Sequence, residues 1–258
     1  TGSLALLSDA AHMLGDVGAL ALALGAAQVA QLAATRAQSF GFRRAEPLGA
    51  FVNALTMLLA GGWIAYEAVH RLAVGAPEVA GLPILIVGSV GLAVNLGSAW
   101  VLARADHGNL NVRGALLHML ADALGSVGAI VAALLVMAGV MAADAVVSLL
   151  IAALVLWATW GLLRTSAAVL LEFAPPGIDV KVVHDAIGRV PGVRGLHDLH
   201  IWSLDGRHTL LSAHVQVALQ AERDDVTRAV SAHLEERFGI RHVTLQVEAE
   251  GDCAGGGC

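Results

Sequence analysis

The stretch from Asn111 to Ile130 reads NVRGALLHMLADALGSVGAI, and its reading decides the fold. It is an apolar helix pattern in which His118 and Asp122 stand four residues apart, so an imidazole and a carboxylate share one face, one turn from each other. Ionisable groups inside a membrane span lose their hydration. They are rare there, and they mark ion or proton pathways. A second copy of the arrangement lies near the start of the chain, where SLALLSDAAHMLGDVGALALAL, from Ser3 to Leu24, carries His12 and Asp16 at the same spacing. Two such helices facing each other offer two imidazoles and two carboxylates, the ligand types and number of a tetrahedral zinc site. The competing reading, in which each pair only hydrogen-bonds inside a helical bundle, does not explain why the spacing is repeated.

Composition agrees with a membrane protein. Of 258 residues 57% are hydrophobic, with a mean hydropathy of +0.72, whereas soluble domains use about 45–50% apolar residues. The net charge of -6 is mild, and only seven of the fifteen Lys and Arg precede Pro175, which gives no basis for a nucleic-acid partner. Five apolar segments, about Ser3–Gln31, Glu46–Leu72, Leu82–Ala103, Val112–Met137 and Ala145–Leu163, are each near or above the ~20 residues a span needs. Arg36, Arg43 and Arg44 follow the first segment and Arg104 and Arg113 the third, while the second is followed only by Arg71. By the positive-inside rule the first and third links are cytoplasmic, and so is everything after the fifth span. Trp100, Trp157 and Trp160 sit near the ends assigned to that interface. Five spans with a cytoplasmic C-terminus imply a further span before Thr1, making six.

Residues 1–174 thus form a transmembrane domain, residues 175–250 a soluble one, and residues 251–258 a flexible Gly-rich tail carrying Cys253 and Cys258, either free or metal-binding. After Pro175-Pro176-Gly177, Asp179–Arg189 reads as a helix, and Val193–Leu204 and Thr209–Leu219 as strands around an Asp205-Gly206 hairpin turn. Glu222–Phe238 is a second helix and Ile240–Glu248 a last strand. The order αββαβ predicts a two-layer α+β unit of ferredoxin-like type. With a two-residue turn, His197 falls opposite His214.

Four stretches together resemble the cation diffusion facilitator family on its zinc-transporter side: SLALLSDAAHMLGDV, FGFRRAEPLGAFVNAL, NLNVRGALLHMLADALGSVG, and LHDLHIWSL with LLSAHV. The resemblance covers nearly the whole chain. It implies a homodimeric secondary transporter of a bacterial inner membrane that exchanges cytoplasmic zinc for protons, with His12, Asp16, His118 and Asp122 as intramembrane ligands. Cadmium, cobalt or nickel suit the same mixed ligands. It also implies a cytoplasmic zinc site: His200, His214 and Glu248 match ligand positions of some relatives and His197 of others, while Arg241 and Gln246 stand where various members have His. A loop metal site known in some bacterial relatives is not expected, because Gln38 and Phe42 replace its histidines.

Asp9 shares the His12 face and suits a supporting or proton-access role; a polar group at a helix entrance explains it equally. Asn95 suits an interhelical hydrogen bond or a place lining the path, and Glu46 the N-terminus of the second span. No His-Glu-x-x-His, Gly-x-x-x-x-Gly-Lys or Gly-x-Ser-x-Gly motif occurs, so no enzyme is expected. The alternative to transport is a metal-responsive sensor subunit, against which the two intact pairs count.

Overall fold

The computed structural model describes residues 25–75, 81–104, 110–218 and 222–249, the side chains of residues 102 and 110–121 excepted. The chain divides into two compact units, one containing Asn53–Gly161 and the other joining Leu22–Val52 to Leu162–Cys258. Four long helices come first: α1 (Ala45–Val74), α2 (Gly81–Leu102), α3 (Leu110–Met137) and α4 (Ala143–Leu170). Among the described residues α1, α2 and α4 are long and apolar enough to cross a membrane, and α3 contributes the apolar stretch Asp122–Met137. Most of the first expected span lies outside the described residues. The last helix runs beyond the expected Leu163, because Arg164, Thr165 and Ser166 do not break it. Ser166 Oγ instead donates back to the carbonyls of Leu162 (2.8 Å) and Leu163 (3.1 Å). Leu59, Trp63, Leu150 and Trp157 are exposed, as side chains that meet lipid should be. At the end of α2 the Arg104 guanidinium lies 3.6 Å over the Trp100 ring, a cation stacked on an interfacial aromatic.

In lipid no hydrophobic effect drives helices together, so close backbone approach and polar contacts do that work. Helices α2 and α3 pack antiparallel through glycines. A Cβ added to Gly81 would fall 2.9 Å from the Ala133 carbonyl oxygen, and one at Gly88 3.2 Å from Ile130 Cγ1. Helix α4 is held to α1 differently. Arg71, near the end of α1, donates to Glu67 Oε1 (3.0 Å) and lies 3.6 Å from Asp144 Oδ2 in the first turn of α4, with Arg71 and Asp144 both buried. The sequence showed Arg71 only as a topology marker. In the fold it is one member of a buried charge cluster.

The cytoplasmic domain has the expected order: α5 (Val180–Gly188), β1 (Val193–Ser203), β2 (Thr209–Val217), α6 (Arg223–Phe238) and β3 (His242–Ala249). Asp179 caps α5, its Oδ1 accepting from the amides of Lys181 (2.8 Å) and Val182 (3.4 Å). The sheet order is β1-β2-β3, with β1 antiparallel to β2 and β2 parallel to β3 across the α6 connection. Both helices cover one face. Val183 and Ile187 of α5 and Val226, Val230 and Leu234 of α6 are buried against Ile201, Leu211, Ala213 and Val215. The opposite face carries the polar side chains.

The hairpin is not the two-residue turn that Asp205-Gly206 suggested. The connection is Leu204–His208, because Asp205 Oδ1 accepts from the amides of Arg207 (2.9 Å) and His208 (2.8 Å), while Ser203 Oγ accepts from the Gly206 amide (2.9 Å). Pairing next to the turn is therefore Ser203↔Thr209 and His200↔Ser212. A β-bulge then sets Asp198 and Leu199 against Ala213 and restores the expected His197↔His214 pair. Asp198 takes the left-handed conformation there, φ 53°, which Asp tolerates better than most residues.

Two outcomes follow from these contacts. Replacing Asp144 with Leu leaves Arg71 short of a buried partner, so thermal unfolding of the full chain in detergent should show a loss of about 3–5 kcal/mol, largely recovered in an Arg71→Met, Asp144→Leu double variant. At Asp205 burial opposes ionisation, but the amides of His208 and Arg207 and the His208 ring outweigh it and hold the carboxyl below its ordinary range. Its contribution is present above the ordinary Asp pKa and is lost as pH falls through the lowered value. Asp205→Ala should cost roughly 1–3 kcal/mol in denaturant unfolding at neutral pH, and the difference from the parent should vanish in acid.

Candidate metal centres

Of the four intramembrane candidates the structure describes one side chain. Asp122 is half-buried on α3. His118 lies one turn earlier on the same continuous helix, so the two positions share a face; its side chain, and His12 and Asp16 altogether, lie outside the described residues. Asp9, Cys253 and Cys258 lie outside them as well. Helix α3 is positioned by the glycine contacts to α2 and by Gly128, where a Cβ would meet Ile151 Cδ1 and Val147 Cγ1 of α4 at 3.2 and 3.3 Å. Asn95 is half-buried on α2.

The cytoplasmic candidates are described in full, and the polar face of the sheet gathers three of the four. His197 on β1, His214 on β2 and Glu248 on β3 each offer a ligand atom, and these atoms lie within 4.8 Å of one another. Register explains this. His197 pairs with His214, and His214 with Gln246, two residues before Glu248 on the same face of the parallel neighbour. Glu248 Oε2 lies 3.1 Å from His197 Nε2, and its Oε1 lies 2.8 Å from His214 Nδ1. The two imidazole centroids are 5.0 Å apart. Gln246 donates to Glu248 Oε1 at 2.9 Å, fixing the carboxylate from the side. Hydrogen bonding to His197 lowers the Glu248 carboxyl pKa first, with Gln246 and His214 adding to it against an opposing desolvation, so the group stays ionised.

Tetrahedral zinc, with bonds of about 2.0–2.2 Å, sets its ligand atoms roughly 3.3 Å apart. The His197–Glu248 and His214–Glu248 contacts are already close to that, and for a cation to replace these hydrogen bonds the three ligand atoms, within 4.8 Å of one another, have only to draw together. Two nitrogens and a carboxylate oxygen are the donor set of a divalent zinc-type ion. His200 does not join them. Although the bulge puts it on the same face as His197, its Nε2 pairs with Asp198 Oδ1 at 2.9 Å, and the other Asp198 oxygen lies 3.6 Å from His214 Nε2. Asp198 is the residue that sequence reading missed. Nothing in the residue order marks a bulge, and only an Asp able to adopt a positive φ beside a strand histidine hinted at it. His184 and His208 are paired with Asp185 and Asp205, and His70 stacks on Tyr66, which leaves them as surface or interfacial groups. Glu46 does more than begin α1. It lies 2.7 Å from Arg207 of the hairpin loop, and Arg44 pairs with Glu172 after α4.

Comparison with known proteins places this architecture. Residues 1–171 match the family described as the cation efflux transmembrane domain, and residues 175–250 the cation efflux protein cytoplasmic domain. The chain is 39% identical over 251 residues to the zinc transporter ZitB of Pectobacterium atrosepticum, covering 96% of this chain and 78% of that one. It is 40% identical over 256 residues to the cadmium, cobalt and zinc/H(+)-K(+) antiporter of Bacillus subtilis, covering 97% and 82%. The cation efflux system protein CzcD of an Alcaligenes species is 40% identical, with 96% and 79% covered. A solved metal-bound C-terminal domain of a CzcD transporter matches 28% of this chain and 99% of its own at 35% identity, but with a TM-score of 0.27 it has no bearing on the geometry. By these matches the chain belongs to the cation efflux family, the cation diffusion facilitators: a multi-pass transporter of a bacterial inner membrane whose C-terminal domain is cytoplasmic.

Proposed function

We propose that the chain exports zinc from the cytoplasm in exchange for protons, carrying it on His12, Asp16, His118 and Asp122. The observation that supports this best is a carboxylate, Asp122, half-buried on an apolar helix one turn after a histidine position. Zinc requires deprotonated ligands, so binding expels protons and protonation expels zinc. Imidazole suits the exchange because its ordinary pKa, near 6.5, lies within reach of both states. A site that takes zinc from the cytoplasm and, after the bundle rocks, loses it to outside protons needs no ATP. The names of the relatives, a zinc transporter and a cadmium, cobalt and zinc antiporter, support both zinc as substrate and protons as the counter-ion, and leave cadmium and cobalt as further substrates. The sensor alternative is not favoured, because the match to the efflux transmembrane domain runs over residues 1–171.

The cytoplasmic cluster is proposed as a regulatory zinc site held by His197, His214 and Glu248, with His200 contributing through Asp198. The chain is proposed to act as a homodimer, for which the dimerisation designation of the family matched by residues 175–250 speaks. Twelve carboxylates from Asp179 to Asp252 face eight Lys and Arg over that stretch, so two copies repel unless cations intervene. Coupling of about 1–3 kcal/mol between this site and the transport equilibrium changes activity roughly 5- to 150-fold.

Two experiments check this reading. In proteoliposomes with an imposed proton gradient, Asp122→Ala should reduce zinc flux to the level of protein-free vesicles while the protein elutes as the parent does; parental flux would remove Asp122 from the site. Zinc titration of the full chain carrying Asp122→Ala isolates the cytoplasmic site. There, adding Gln246→Ala should weaken binding about tenfold through the loosened Glu248 carboxylate, and adding Glu248→Ala should abolish it.

A further inference from the structure

The compact unit that joins Leu22–Val52 to Leu162–Cys258 contains a cavity of about 840 Å³ between residues 37–44, the segment after α4 and strand β1. Its lining is both basic and apolar: Arg43 and Arg44 stand beside Glu172, and Phe40, Val180 and Trp202 supply hydrocarbon surface. Arg44 is neutralised by Glu172. Arg43, which also lines the cavity, is exposed and, among the described residues, forms no ion pair. Phe40 is held in place edge-on to His242, with the ring centroids 6.5 Å apart.

The cavity's position says what kind of anion comes near it. It adjoins the start of α1 and the end of α4, the ends of two membrane-spanning helices on the side of the cytoplasmic domain. Beside the lining residues Glu172 and Ala174, exposed Leu171 and Phe173 follow α4, with exposed Arg164 two turns before them, a mixture of apolar, aromatic and basic groups suited to the boundary where hydrocarbon gives way to headgroups. Basic pockets at this level on the cytoplasmic side meet the phosphates of the inner leaflet.

We propose that this cavity binds an anionic phospholipid of the inner leaflet, with the headgroup phosphate on the Arg43 guanidinium and the glycerol end of the lipid against Phe40 and Trp202. A guanidinium forks onto two phosphate oxygens, which a zwitterionic headgroup, carrying its own ammonium, offers less well. The apolar wall distinguishes a lipid from free phosphate, which gains nothing from hydrocarbon. Bound lipid bridges the 37–44 loop and the domain that carries the cytoplasmic cluster. The inference rests on the membrane location of the chain and not on the metal it carries.

The test uses the full-length chain in a neutral detergent, with binding read by native mass spectrometry and three probes: short-chain phosphatidylglycerol, short-chain phosphatidylcholine and inorganic phosphate. Phosphatidylglycerol should bind in preference to phosphatidylcholine. Arg43→Gln should weaken it roughly fivefold, the effect of one basic group at an anionic surface. Arg43→Lys should keep most of the binding, and Arg36→Gln, outside the cavity lining, should leave it at the parental value. Equal binding of the two lipids overturns the proposal. So does displacement of phosphatidylglycerol by an equal concentration of inorganic phosphate, or an Arg36→Gln loss as large as that of Arg43→Gln, which would reduce the effect to general surface charge.

Discussion

A charge withdrawn from water must be met by another charge or by a full set of hydrogen bonds, and the placement of this protein's ionisable groups follows from that requirement. Arg71, Glu67 and Asp144 satisfy one another, cation against two carboxylates, and the cluster ties α1 to α4. Glu248 is met differently. Its partners are two imidazoles, which can be neutral and can exchange a hydrogen bond for a bond to a metal. The same physical need thus yields a closed structural cluster in one place and a cluster open to a cation in another, and ligand chemistry is what separates them.

Helices α2, α3 and α4 depend for their packing on small residues rather than on large apolar ones. Gly81 lets α3 lie against α2 at a distance a side chain would prevent, and at Gly88 and Gly128 an added Cβ would press on Ile130 of α3 and on Ile151 and Val147 of α4. Van der Waals contact over such a seam is the main attraction available in hydrocarbon, and it leaves the leucines and tryptophans of these helices to face lipid.

In the cytoplasmic domain the apolar layer and the polar layer have separate tasks. Packing of α5 and α6 on one face of the sheet fixes the strands; the other face is then a rigid platform on which His197, His214 and Glu248 converge from three strands. Asp205 and the bulge at Asp198 set the register that makes the convergence exact to within hydrogen-bonding distance. A slip of one residue would turn the histidines into the apolar layer.

Much of this was legible in the residue order alone. Hydropathy set out the four long helices α1 to α4, and the αββαβ order of the cytoplasmic domain followed from strand and helix periodicities, because these are local patterns that tertiary contacts only confirm. His118 and Asp122 could be assigned to one helix face because a helix fixes the i to i+4 relation by itself. The choice of His197 over His200 as partner of His214 and Glu248 could not be read in this way: it depends on a five-residue hairpin connection and a bulge whose compensating shifts no linear rule contains. The predicted His197↔His214 pair was right although the turn behind it was wrong. Asp198 beside His200, Asp144 against Arg71 and Arg207 against Glu46 are likewise pairings between distant or irregular positions, decided only when packing brought the backbones together.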